Sequence, residues 1–302
     1  MIGGKGVRWV LECVLGLLVS GGWGLSAAEP THQLRYQFPQ GETLNYVSQH
    51  DARYKITFQS SKENVSHTSM SVRTIRVLNS TPEVAQVEHT IQQARMTADN
   101  GQGTTVYESA RPNDVPPDFE RVHQSIGKPL SARLSPQGKT LAATPGADSL
   151  ENAELFFQLP EGPVAVGAQW AERYESQIVV EEKLFKKIRM ERRFQLMSVE
   201  NGVATIGLAT VCLSPMNDPA QEVQVLQKAP KGQFRLELAT GRLLERQLVI
   251  DDNVVAFQGP GTQMEVKSIR VDRLISPEQV AQVDLTKPLI PVTVAEDATP
   301  KQ

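Results

Sequence analysis

Ala85-Gln-Val-Glu-His-Thr-Ile91 alternates Ala85, Val87, His89 and Ile91 with Gln86, Glu88 and Thr90. A period of two places one set of side chains against a core and the other in water, which is how an antiparallel strand with one wet face reads. The same alternation stands upstream, where Tyr54, Ile56 and Phe58 interleave with Lys55 and Thr57, and Leu34, Tyr36 and Phe38 with Arg35 and Gln37. Turn clusters separate such runs: Pro39-Gln-Gly41, Asn79-Ser-Thr-Pro82, Asp99-Asn-Gly101, Ser135-Pro-Gln-Gly138 and Asp251-Asp-Asn253. They supply the positive-φ or Pro-fixed positions that hairpins need. The pattern predicts a mainly β protein of antiparallel curved sheets or half-barrels with minor helices.

Internal similarity refines this expectation. Phe38-Pro-Gln-Gly-Glu42 resembles Leu159-Pro-Glu-Gly-Pro163, Val84-Ala-Gln-Val87 resembles Val203-Ala-Thr-Ile206, and Leu134-Ser-Pro-Gln-Gly138 resembles Leu238-Ala-Thr-Gly241. The order is kept while the spacing shrinks, so two similar β units are expected, at 34–145 and 159–275. The first would carry a helical insertion near 112–128, where Pro116-Pro117 precedes Asp118 to Ile126. Residues 146–158 would form a connecting helix or linker, with Asp148 or Ser149 capping it and Leu150, Leu155 and Phe156 against a sheet. The end, 276–302, is proline-rich from Lys287 and is expected to be partly disordered.

The beginning of the chain speaks to its destination. Lys5 and Arg8 precede an uncharged run from Cys13 to Ala28 that ends Ser26-Ala27-Ala28. A positive end, an apolar middle and small residues before a cleavage point are the parts of a secretory signal peptide, here residues 1–28. An uncleaved anchor is the competing reading, weakened by Gly16, Gly21, Gly22 and Gly24, which dilute the apolar run a spanning helix needs. After cleavage no stable membrane anchor is expected. The formal charge of the full chain is −3, and so weak an acidic balance argues against nucleic acid as a partner. Of the two cysteines, Cys13 leaves with the leader. Cys212 remains within an apolar strand-like run, where a buried inert thiol is expected.

Candidate sites are sparse. Lys183, Lys186, Lys187, Arg189, Arg192 and Arg193 form a basic stretch that could attract an anionic surface. Glu181, Glu182 and Glu191 are interleaved, which favours a solvated strand face, guarded at an edge by lysines. The five histidines, His32, His50, His67, His89 and His123, show no metal-ligand spacing. His89 lies on the apolar side of its strand as a core histidine. A hydrolase assembled across strands would need residues such as Glu88, His89 and Asp251. Asp251-Asp252 is better explained as turn chemistry, and Glu181-Glu182, being adjacent, would point to opposite faces. Gly101-Gln-Gly103 and Gly259-Pro-Gly261 lack the setting of a phosphate loop. Trp170 and the phenylalanines spread along apolar faces, a poor platform for sugars but suited to an apolar cavity between curved sheets. No catalytic, cofactor or metal residue is assigned.

The opening Leu34-Arg-Tyr-Gln-Phe-Pro-Gln-Gly-Glu-Thr-Leu-Asn-Tyr46, with Leu134-Ser-Pro-Gln-Gly-Lys139 and Leu238-Ala-Thr-Gly-Arg-Leu243, resembles a bacterial family of exported β-rich proteins of unknown function. The resemblance spans most of 34–275 and rests on turn motifs. It implies a bacterial envelope or extracellular setting and brings no active site. Three functions remain open: a non-enzymatic binder of an apolar, lipid or envelope-derived ligand, a hydrolase with a site assembled across strands, and a structural envelope protein.

Overall fold

The computed structural model describes residues 30–111, 114–143, 155–181 and 184–290. The expected leader, Asp148 to Leu150 of the linker, Glu182, Lys183 and the end from 291 lie outside the described residues. The protein is mainly β. A short ladder pairs β1 (Thr31–His32) with β8 (Val164–Ala165). All other strands among the described residues belong to one large antiparallel sheet.

From the first half come β2 (Thr43–Phe58), β3 (Ser61–Ser80), β4 (Ala85–Asp99), β5 (Thr104–Glu108), β6 (Leu130–Leu134) and β7 (Thr140–Ala143). The second half gives β9 (Gln169–Glu181), β10 (Leu184–Glu200), β11 (Val203–Cys212), β12 (Lys231–Glu237), β13 (Arg242–Val255) and β14 (Thr262–Ile275). The sheet runs β7-β6-β4-β3-β2-β14-β13-β12-β11-β10-β9, with β5 alongside the far end of β4. Each half is a meander, and the two are welded where β14 pairs with β2 over 14 residues, Thr262 opposite Phe58 through Ile275 opposite Asn45.

One apolar core shows that this sheet wraps around itself without closing into a barrel. Ile75 and Val87 of one wing and Phe194 and Ile206 of the other share a single buried cluster, though four to six strands lie between them along the sheet. Two extended arms fill the trough between the wings. In the first, Leu34, Tyr36 and Phe38 are buried while Arg35 and Gln37 are exposed. The alternation predicted a strand there, and the segment is extended, but its backbone bonds to turns instead of a ladder. Tyr36 N donates to Pro136 O and Gln37 N to Gly241 O. The second arm, Leu155 to Leu159, buries Leu155, Phe157 and Leu159, so its described part is extended instead of the expected helix. The two arms meet where Tyr36 Oη donates to Phe157 O at 3.2 Å.

The units are interlocked through glycines. Gly138, in the β6–β7 turn, lies so close to Phe157 O and the Tyr36 ring that a Cβ would sit 2.6 and 2.5 Å from them. Gly241, in the β12–β13 turn, crowds Gln37 N and Arg35 O in the same way. Each half thus holds the arm that precedes the other.

Several expectations change. Asp251-Asp-Asn253 is not a turn: it lies within β13, paired with Glu265 to Lys267. The reversal falls later, at Ala256 to Gly261, where Ala256, Gly259 and Gly261 have positive φ; the pairing with β14 carries the strand through an exposed polar stretch. The helix expected near 112–128 is present as α1 (Glu120–Ser125), entered through a 3-10 turn at Pro117–Phe119. However, α2 (Pro219–Leu226) stands at the same place in the second half, between β11 and β12. The extra length of the first half therefore lies in the longer β4 and its partner β5. The end is less loose than expected up to Ile290: Ser276 opens α3 (Pro277–Val280), and Leu289 N and Ile290 N donate to Gln49 Oε1 on the outer face of β2.

Gly241→Ala is expected to cost about 2–4 kcal/mol through positive φ and overpacking against the arm. Gly162→Ala, where a Cβ meets nothing, should cost under about 1 kcal/mol. Urea unfolding of the two variants measures the difference.

Candidate functional site

Register assigns the inner face. On β2 it carries Tyr46, Ser48, His50, Ala52 and Tyr54, opposite Arg73, Ser71, Ser69, His67 and Val65 of β3. On β14 the same row gives Leu274, Asp272, Arg270, Ser268 and Val266. Moving away from the arms, apolar residues yield to a buried polar belt.

Its centre is Asp272, fully buried, beside Arg246, which is 2% exposed. Arg246 Nε and Nη2 donate to Asp272 Oδ2 at 3.0 and 2.6 Å, and Ser48 Oγ donates to Oδ1 at 2.6 Å. Arg270 Nε is 3.4 Å from the same Oδ2. Burial by itself would push this carboxyl up. The charges of Arg246, Arg270 and Arg73, with the Ser48 hydrogen bond, outweigh it and hold Asp272 far below the usual carboxylate range. Arg73 Nε also donates to Ser71 Oγ at 3.0 Å.

A second buried guanidinium system lies across the trough. Arg192 Nη1 donates to Glu172 Oε2 at 3.1 Å and stacks over the Tyr174 ring at 4.4 Å. Arg192 and Arg246 both lie 5.3 Å from the Phe157 ring centre, so two cations hold the tip of the second arm.

Beyond the belt, β2, β3, β4, β14 and α1 enclose a half-open cleft of about 420 Å³. α1 is fixed over β4 by its own apolar side: Phe119, Val122 and Ile126 pack with Ile91, Ala94 and Tyr107. Gly127 N donates to Ile91 O, and Tyr107 Oη lies 3.2 Å from His123 Nδ1. One wall of the cleft is apolar, with Ile91, Ala94, Met96, Phe119 and Val122. The sheet contributes His50, Ser69, Ser71, Arg73 and Arg270, and Arg121 of α1 also lines the cleft. Among the described residues that line it there is no carboxylate.

The structure scatters the residues a hydrolase would need. Glu88 and His89 are neighbours on β4, on opposite faces, and Asp251 is exposed on β13, with β3, β2 and β14 between them. His89 is half-buried on the inner face. Burial, then the charges of Arg73 and Arg270, push its pKa down to about 4. His50 Nε2 lies 2.9 Å from Ser268 Oγ, and His50 lines the cleft while Ser268 does not. Among the described residues no group of three His, Cys, Asp or Glu is placed to hold a metal ion.

The basic stretch is not a guarded edge. β10 is an interior strand and β9 is the edge. Lys187 pairs with Glu175 at 3.0 Å, and Arg193 joins Arg173 on Glu191. Cys212 is half-buried at the end of β11 instead of sealed in the core. Trp170 stacks on Phe194 with centroids 5.5 Å apart, but Phe185, expected on an apolar face, is 59% exposed at the β9–β10 tip. Sequence reading missed the importance of Arg73, Arg246, Arg270 and Asp272. The available signal was a charged residue on the inward position of each strand.

No family model matches the chain, and no curated protein sequence matches it. Among solved structures it is similar to lipovitellin, in a study of lipid–protein interactions, at 10% identity and TM-score 0.48, covering 80% of this chain and 26% of that one. The chain thus spans about a quarter of that protein's length. It is also similar to DynF from the dynemicin biosynthesis pathway of Micromonospora chersina at 7% identity and TM-score 0.21, covering 84% of this chain and 89% of that one. An outer membrane channel of Pseudomonas putida F1 aligns at 9% identity and TM-score 0.29, covering 80% of this chain and 97% of that one. With TM-scores below 0.5, these likenesses carry no information on ligand or activity.

Asp272→Asn removes the carboxylate charge that buried Arg246 pairs with, and is expected to destabilise the fold by about 3–5 kcal/mol in urea unfolding at neutral pH. His89 gives a separate acid effect. Its folded pKa is depressed, so its contribution is present above the unfolded value and is lost as pH falls from about 6.5 toward about 4. The full loss is on the order of 3 kcal/mol. His89→Leu should flatten the fall of Tm with pH across that window, and an unchanged slope would refute the assignment.

Proposed function

We propose that the protein is an exported, non-enzymatic binder that takes an apolar or amphipathic molecule of the cell envelope into the cleft between α1 and the sheet. The carrying observation is the cleft itself. Its volume falls in the range of small-molecule sites, and a continuous apolar wall with a few convergent polar groups is the usual composition of such sites. The wall is pre-formed, because Phe119 and Val122 are held against β4 by the same packing that fixes α1.

Support for export comes from the sequence: Lys5, Arg8, the uncharged run to Ala28 and the small residues that end it. Among the described residues no helix is long and apolar enough to cross a membrane. The weak net negative charge suits neither nucleic acid nor a long polyanion.

The delipidated full chain, freed of its leader, should bind Nile red and dodecanol saturably, with a rise in Tm that grows with ligand concentration as mass action requires. Val122→Trp, which fills the apolar wall, should abolish that rise. Absence of saturable binding by the parent chain would overturn the reading.

A further inference from the structure

The main path of the sheet ends on β7 and β9, and the two ends are not alike. β7 is only 4 residues long, whereas β9 runs from Gln169 to Glu181 and pairs with a strand on one side alone, that of β10. The far end of β9 is capped: Val179 N donates to Gln224 Oε1 of α2 at 2.8 Å, and Gln224 Nε2 donates to Val179 O at 2.7 Å. Val179 therefore points its backbone groups away from β10. The pairing is regular from Val179 opposite Phe185 to Gln169 opposite Gln195, and backbone direction alternates along a strand. Gln177, Glu175, Arg173 and Ala171 thus point their backbone groups outward as well. Among the described residues no backbone hydrogen bond reaches these outward groups. A long edge in this state is a template for another strand.

We infer that the strand added there is β9 of a second copy of this chain, antiparallel to the first about a two-fold axis at Tyr174. Such an axis stands perpendicular to the sheet, so outer residues meet outer residues and inner meet inner. Ala171, Arg173, Glu175 and Gln177 then face Gln177, Glu175, Arg173 and Ala171 of the second copy, and each pair exchanges two backbone hydrogen bonds. On the outer face Arg173 of each copy meets Glu175 of the other. Both residues already pair within the chain, Arg173 with Glu191 and Glu175 with Lys187, but their side chains remain 78% and 61% exposed and can share a second partner. Charge also selects the register. An axis at Glu172, Arg173 or Glu175 sets that residue against its own copy, and like charges directly opposite are destabilising. An axis at Ser176 brings Arg173 against Val179, whose backbone Gln224 has taken. The axis at Tyr174 avoids both faults.

The contact is independent of the cleft, whose walls come from β2, β3, β4, β14 and α1. Sedimentation velocity of the full chain without its leader should show the mass doubling with a dissociation constant in the micromolar range, as suits a contact made by one strand edge. Arg173→Glu and Glu175→Arg each place like charges opposite one another across the axis, and each should weaken self-association at least about tenfold. Mixed in equal amounts, the two variants should form a mixed dimer near the parent affinity, because every pair across the axis is then of opposite charge. Gln177→Pro removes one outward N–H and leaves the ladder to β10 complete, so it too should weaken association.

A parent chain that stays monomeric up to about 0.5 mM overturns the inference. So does a dimer that both charge variants and Gln177→Pro form as tightly as the parent, since its contact then lies elsewhere. If the charge variants dissociate and their mixture stays monomeric, the pairing of Arg173 with Glu175 is refuted, and the axis at Tyr174 with it.

Discussion

The Arg246–Asp272–Ser48 cluster sits at the seam where β14 meets β2, and the rest of the architecture depends on that seam. Ser48 belongs to β2, Asp272 to β14 and Arg246 to β13, so one carboxylate ties three adjacent strands on their buried face. The first half contributes only β2 to this contact. Without it the two meanders would be separate sheets, each with an exposed inner face and an open edge, and a row of unpaired backbone groups invites wrong pairing. The seam turns two halves into one trough.

A core made only of apolar layers would stabilise such a trough at least as well, because buried ion pairs are often no better than apolar residues of similar volume. The belt therefore does something a leucine layer could not. It brings Arg73 and Arg270 to the wall of the cleft and fixes the geometry there through hydrogen bonds: Asp272 accepts from Arg246 and Ser48 and lies beside Arg270. The arms complete the arrangement from the other end. Phe157, held between Arg192 and Arg246, separates the oily plug from the charged layer.

The strands were legible because alternation reports burial directly. Gln86, Glu88 and Thr90 point away from the trough, and Val87, His89 and Ile91 into it, as the period of two requires. The order of strands across the seam was not legible, since pairing between β2 and β14 depends on partners more than two hundred residues apart and leaves no local trace. The Asp251 turn failed because Asp-Asp-Asn reads as a reversal, whereas the ladder to β14 overrode that local preference. The site stayed hidden for a related reason. Arg270 and Asp272 look like wet-face residues of an alternating strand, and only the fold shows that their side is the inner one.

The seam also orders events in time. β2 is among the first strands to leave a ribosome and β14 the last, so the joined sheet cannot exist until almost the whole chain has been released. Loop closure across that span precedes the reward of the contacts it makes, which makes such topologies slow to form. An incomplete chain would keep β2 open along one side and its inner charges in water. Under the proposed export, in which the chain is threaded through a narrow pore before it folds, delay of this kind is an advantage, because β14, which arrives long after β2, is the strand that locks the molecule shut.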